Sequence, residues 1–331
     1  MSTAKKKFKL FDMNRDGKGV DPGEDTTPNL KFFFKQLARK FSKIISLNIL
    51  MIFQVIPILI SVYLYVFASP TTPTQYYPEY AALFGIQEAS SSAASAVNMG
   101  IFSFQLGLPT YNTYVYWVIG ALMLLLVITY GWQKVGSIYV MRGLVRGDSV
   151  FVFSDYFYAI KKNFKQGFVL GIIDCLVMFV LGYDLVYFFN SEQTGFSNFI
   201  YAMTIALIIL YVIFRFYTYL IIVTFNIKLG KAFKNALIFI VLGIKRNILA
   251  LLGLVLVTAL AVVPILLLMP LGLGVALVLP LIYYLGVSAF IYTYAAYPVI
   301  KKHMIDPVIV TSVSDSIEET ETVTETVTET E

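Results

Sequence analysis

The chain has 331 residues, 58% of them hydrophobic and 14% charged, with a formal net charge of +5 and a mean hydropathy of +0.75. Soluble domains run at roughly 45–50% apolar and about 25% charged, so this chain lacks the polar surface to enclose itself in water and must leave part of its apolar surface to a bilayer. Cys175 and His303 are its single cysteine and single histidine, which excludes an intramolecular disulfide and a zinc site of His and Cys ligands.

The first 29 residues read as a flexible cytoplasmic N-terminus. No cleavable signal is expected, because the first apolar run starts at Ile44, after 43 mostly polar residues. Asp12, Asn14, Asp16 and Gly17 open like a calcium loop, but loop positions 8 and 12 hold Gly19 and Gly23 where an apolar residue and Glu belong, so the segment reads as a polar linker. In Leu30–Ser42, Leu30, Phe33, Phe34, Leu37 and Phe41 recur at helical spacing, while Lys31, Lys35, Arg39 and Lys40 fill the other faces and Lys43 follows. This predicts an amphipathic elbow helix in the cytoplasmic headgroups, its cations drawn to anionic lipid.

A crossing needs about 20 mostly apolar residues. The predicted spans are 44–67, 114–132, 167–189 and 199–225. A 52-residue run, 248–299, then holds two more, 248–269 and 274–299, with a turn at Met269–Gly274, where Pro and Gly favour a break. The external loop 68–112 carries Glu79 and Glu88 as its charges. Its aromatics, Tyr76, Tyr77, Tyr80, Phe102 and Phe104, suit either stacking on a sugar or leaning on the membrane. Ser154–Gln166 and Lys231–Arg246 read as two further elbow helices, each just before a span. Residues 307–331, ending in ETVTETVTETE, form an acidic, low-complexity tail expected to be disordered and cytoplasmic.

The cations test this layout. Of 25 Lys and Arg, 11 lie at or before Lys43, six in Lys134–Lys165, five in Lys228–Arg246, two at Lys301–Lys302, and one is Arg215. Ile44 to Gln133 contains none. Six crossings with both termini inside put every loop cation in the cytoplasm. The fold class is therefore an all-α integral membrane protein, a six-transmembrane-helix bundle with amphipathic cytoplasmic elbows.

Charges inside spans are costly and are usually paired or functional. Asp174 lies about 10 Å and Arg215 about 15 Å from the cytoplasmic ends of neighbouring spans at 1.5 Å per residue, so they are candidates for an ion pair. That pair reads either as a lock between helices or as a substrate or proton site. Asp184 is a secondary candidate, near the outer end beside Tyr183 and Tyr187. Gly167 and Gly171 form a small-xxx-small pair suited to close helix packing. No Walker-type phosphate loop, HExxH or GxSxG appears, so no catalytic residue, cofactor or metal is expected.

Two stretches carry a family resemblance. One is Phe11–Pro57, with Gly17-Lys18-Gly19-Val20 and the FFxxLxRKFxKxIxLN run. The other is Gly143–Asn190, reading GLVRGDSVFVFSDYFYAIKKNFKQGF before the third span. Together with LGKAFKNALIFIVLGIKRN, they resemble the YesL-like family of bacterial integral membrane proteins, which carry a domain of unknown function. The resemblance implies a bacterial plasma membrane and a link to carbohydrate ABC importers. The leading expectation is a non-enzymatic accessory or regulatory protein, partnered by the bilayer and by an ABC transporter subunit or another membrane protein. Nucleic acid is not an expected partner, and homo-oligomers stay open. An autonomous transporter using Asp174 and Arg215, and a membrane enzyme, are the alternatives.

Overall fold

A computed structural model describes residues 26–67, 113–192, 194–268, 271 and 273–308. The calcium-like segment, the external loop 68–112, residues Met269, Pro270 and Gly272 of the expected turn and the acidic tail from 309 lie outside the described residues. Within them the chain forms nine α-helices and no strand: α1 (Leu30–Ile52), α2 (Ile56–Phe67), α3 (Thr113–Arg146), α4 (Val152–Lys162), α5 (Phe164–Asn190), α6 (Gly195–Thr224), α7 (Leu229–Leu242), α8 (Ile244–Leu268) and α9 (Leu279–Ile300). A 3-10 turn at Gly274–Leu277 precedes α9 and a π turn at Lys301–Ile305 follows it.

Five helices, α3, α5, α6, α8 and the one built on α9, are long and apolar enough to cross a bilayer. The α1–α2 pair meets the same standard only jointly, and it is bent by 47°. All-helical among the described residues, this is a multi-pass membrane protein.

The bend corrects the expected boundary between elbow and span. Leu30–Ile52 is one continuous helix, and the break falls at Phe53–Val55 rather than near Lys43. Pro57 explains the position. It lacks an N–H and disfavours helical geometry at Ile56, so the helix restarts there instead of running through. Gln54 in the break donates to the Leu126 carbonyl at 3.0 Å, fastening the kink to α3. The span expected at 114–132 is likewise the first part of a longer helix. At 34 residues and 1.5 Å per residue, α3 is about 51 Å long, well beyond the ~30 Å hydrocarbon layer. It stops at Gly147, whose φ of 88° sets a Schellman end: Asp148 N–H donates to the Gly143 carbonyl at 3.0 Å and Gly147 N–H to that of Leu144 at 3.2 Å. Lys134 and Arg142, expected in a loop, therefore sit on α3.

The short helices follow local signals. In α4, Asp155 lies in the first turn and accepts from the Phe151 N–H at 2.9 Å, which offsets orphan amides at that end. α6 opens with a reciprocal cap between Thr194 and Ser197.

α3 is the hub, packing against α1, α2, α4, α5, α6 and α9, while α1 and α8 both lie on α9. The buried core sits at one end. Buried residues of α3 begin at Gly131, those of α5 end at Asp174, and those of α6 concentrate in Ile213–Val223. The opposite halves of α5 and α6 expose Phe179, Val186, Phe199 and Leu207. Long-range polar contacts close the packed end. Gln36 donates to the carbonyls of Leu144 and Val145, Lys43 to that of Val150, Arg142 to that of Val223 and Tyr294 to that of Asn29. Asn48, fully buried, donates to the Leu281 carbonyl and accepts from Gly286 N–H at 2.8 Å, stitching α1 to α9. The cations of α1, α3, α4, α7, α8 and the end of α9 gather at this end.

α4 docks onto α3 through Tyr156, whose ring covers Gly136 so closely that a methyl there would come within 2.7 Å of it. Burial pushes the Tyr156 phenol up to about 12, against an ordinary value near 10. The unfolded chain therefore loses this proton first. The contribution is intact below pH 10 and is lost as pH rises from about 10 to 12, by roughly 2–3 kcal/mol. Thermal unfolding of wild type should weaken over that window, and Tyr156→Phe should be flatter. An identical pH profile for both would refute the assignment.

Candidate functional site

The intramembrane polar residues converge where α3, α5 and α6 meet. Arg215 Nη2 lies 2.9 Å from Asp174 Oδ2. This is an ion-pair contact without aligned hydrogen-bond geometry. Tyr211 donates its hydroxyl to Asp174 Oδ1 at 3.0 Å. Arg215 also donates to the Tyr130 hydroxyl, and its guanidinium carbon sits 5.7 Å from that ring's centroid. Helical periodicity builds the cluster. Tyr211, Arg215 and Tyr219 are four residues apart on α6, and Tyr130 and Lys134 are four apart on α3, so each set shares a face.

The site is closed. The Asp174 side chain is 1% exposed and that of Arg215 14%. Tyr219 is 1% exposed, and its hydroxyl makes no hydrogen bond among the described residues. A solute reaches the carboxylate only if the helices part. An isolated carboxylate there would be strongly disfavoured, and Arg215 with Tyr211 compensates it. Lys134 adds a second cation 5.5 Å over the Tyr130 ring, with no ion-pair partner among the described residues. The cluster thus carries one carboxylate against two cations.

Glycines hold the neighbouring crossing. A methyl on Gly171 would come 2.5 Å from Gly131 Cα, and one on Gly131 would strike the Gly167 carbonyl oxygen. Gly167 and Gly171 of α5 therefore lie directly on Gly131 of α3. Trp132 caps the crossing, donating to the Phe164 carbonyl at 3.0 Å and stacking on the Phe164 ring.

Other candidates are placed elsewhere. Asp184 is half-buried near the far end of α5, with no ion pair or hydrogen bond among the described residues. The basic residues of α1 divide in two. Lys31 and Lys35 are exposed, whereas Arg39, Lys40 and Lys43 are half-buried against the protein. The apolar face of that segment divides too. Phe33 packs on Phe290 and Tyr294, while Leu30, Phe34 and Phe41 stay exposed. Sequence reasoning missed Tyr130, Lys134, Tyr211, Gly131 and Asn48. Their spacing was readable, Tyr211 and Tyr219 flanking Arg215 by one turn each, but tyrosines in spans usually read as interfacial belts.

Residues 112–185 match the model of a family described as "Protein of unknown function, DUF624". At a coarse level this fits the YesL-like resemblance. The matched stretch, under a quarter of the chain, contains Tyr130, Gly131, Lys134, Gly167, Gly171 and Asp174, and leaves out Tyr211 and Arg215. No curated protein and no solved structure matches the chain.

Proposed function

We propose that the chain is a non-enzymatic accessory or regulatory protein of the bacterial plasma membrane that crosses it six times with both termini in the cytoplasm. The kinked α1–α2 pair is then the first crossing, and the cation-rich, packed end faces the cytoplasm under the positive-inside rule. α4 and α7 lie along that surface as elbows. Their exposed Phe153 and Phe157, and Leu237 and Val241, meet the acyl boundary.

The observation that carries this reading is the closure of the Asp174–Arg215 pair. The costliest polar groups in the membrane are satisfied by their own neighbours rather than presented to a substrate, as expected of a lock between helices. The partner, following the family resemblance, is a membrane subunit of a carbohydrate ABC importer, met through the exposed apolar halves of α5 and α6. Purification of the tagged chain from its native host in gentle detergent, with mass spectrometry, should recover such a subunit in stoichiometric amount. Recovery of the chain alone, or only as a homo-oligomer, would count against the accessory role.

A second reading is favoured by Lys134. A cation beside the pair without a counter-ion among the described residues is what a transporter of an anionic solute would keep. It requires water to reach the cluster.

A further inference from the structure

At the packed end lies a cavity of about 1180 Å³, larger than the usual 300–1,000 Å³ of ligand pockets. Four separate parts of the chain supply its walls: the start of α1, the end of α3, the α7–α8 junction and the end of α9. Seven Lys and Arg side chains line it against two carboxylates, Asp148 and Asp306. Asp148 is already paired with Arg146 at 3.3 Å, and Arg246 donates to the Pro28 carbonyl. Lys40, Lys245, Lys301 and Lys302 make no hydrogen bond or ion pair among the described residues. Tyr297 adds a hydroxyl donor to the wall, likewise without a hydrogen bond among them. Phe32, Leu242 and Val299 add apolar surface to the same wall.

A preference for cations at the cytoplasmic end does not account for this arrangement. That rule fixes which side the cations occupy, not their convergence on one concavity; Lys161 and Lys162 of α4 satisfy it outside the cavity. Nor do helix ends neutralise the excess. The carbonyl ends of α3, α7 and α9 each contribute about half a negative charge and the amide ends of α1 and α8 about half a positive one, so together they offset less than one of the surplus positives. Like charges held around a low-dielectric concavity repel one another unless an anion joins them, and the shape focuses their field inward.

We propose that this cavity is a binding site for a phosphate-bearing anion. The phosphate sits among Lys40, Lys245, Lys301 and Lys302, whose ammonium groups form charge-assisted hydrogen bonds to its oxygens, and Tyr297 donates another. The apolar surface accommodates the rest of the molecule. Two sources share this chemistry: the headgroup of an anionic lipid entering from the membrane edge, and a soluble phosphate compound from the aqueous side.

The test uses the full chain in nanodiscs, with thermal unfolding as readout. In neutral phosphatidylcholine discs, pyrophosphate is titrated as the soluble probe; in a second series, phosphatidylglycerol replaces part of the neutral lipid. Lys245→Gln with Lys301→Gln and Lys302→Gln removes cavity charge at exposed positions, and Lys161→Gln with Lys162→Gln is the control outside it. Tyr297→Phe gives a second cavity variant without a charge change. Saturable stabilisation by pyrophosphate, weakened about tenfold in the cavity variants and kept by the control, establishes the site with a soluble ligand. Stabilisation by phosphatidylglycerol alone, with the same variant pattern, establishes it with a lipid headgroup. No stabilisation by either probe, or equal losses in cavity and control variants, overturns the proposal.

Discussion

Gly131→Leu should leave no stably folded protein, the largest effect expected of any single substitution on α3. A Cβ at this position falls on the backbone carbonyl of Gly167, so no side-chain rotation can relieve the clash. Ordinary overpacking costs about 1–3 kcal/mol because flexible neighbours yield. Here α3 and α5 would have to separate, which also pulls Tyr130 away from Arg215. Gly171→Leu should fail for the same reason, since its Cβ meets Gly131 backbone atoms. Gly120→Leu and Gly182→Leu, on the same two helices but facing open space, should express and unfold as wild type does. Size-exclusion profiles and melting temperatures in detergent make the comparison. A wild-type profile for Gly131→Leu would mean that the helices do not cross there.

The second large effect concerns Asp174 and Arg215. Removing one member of a buried ion pair strands the other, at about 3–5 kcal/mol, whereas replacing both with apolar groups is often nearly neutral. Asp174→Leu and Arg215→Met should each lower stability by that amount, and the double substitution should recover most of it. Tyr211→Phe should cost less, roughly 1.5–3 kcal/mol, the range for a hydrogen bond to a charged group. A thermodynamic cycle over these variants measures the coupling directly. Additive losses would show that the two residues do not support each other.

The helical membrane architecture was legible because two signals are hard to counterfeit: apolar runs of bilayer length, and Lys and Arg, Arg215 apart, clustered between alternate runs. Helix ends were less so. The continuation of α3 to Arg146 depends on a Schellman end at Gly147, and Gln133–Arg146 is polar enough to pass for a loop. The kink at Phe53–Val55 was foreshadowed by Pro57, but an apolar run conceals a bend because hydropathy does not register direction. Depth counting put Asp174 and Arg215 within reach of each other, and in the structure their side chains meet. The tyrosines around them and the glycine opposite Gly167 and Gly171 depend on which helix faces which, which hydropathy and charge leave open. The basic cavity is the extreme case, since its lysines come from the first helix, Lys40, and from the far end of the chain, Lys245, Lys301 and Lys302.

Water access to the Asp174–Arg215 cluster decides most directly between a lock and a transport site. In a Cys175→Ser background, Thr218→Cys places a thiol on α6 at a fully buried position three residues beyond Arg215, and Asn226→Cys places one at an exposed position just past the end of that helix. Native membranes are treated with a small, charged thiol reagent. A sealed lock predicts that Asn226→Cys is modified and Thr218→Cys is not. Modification of Thr218→Cys at a comparable rate would contradict the lock and point to an aqueous path to the pair.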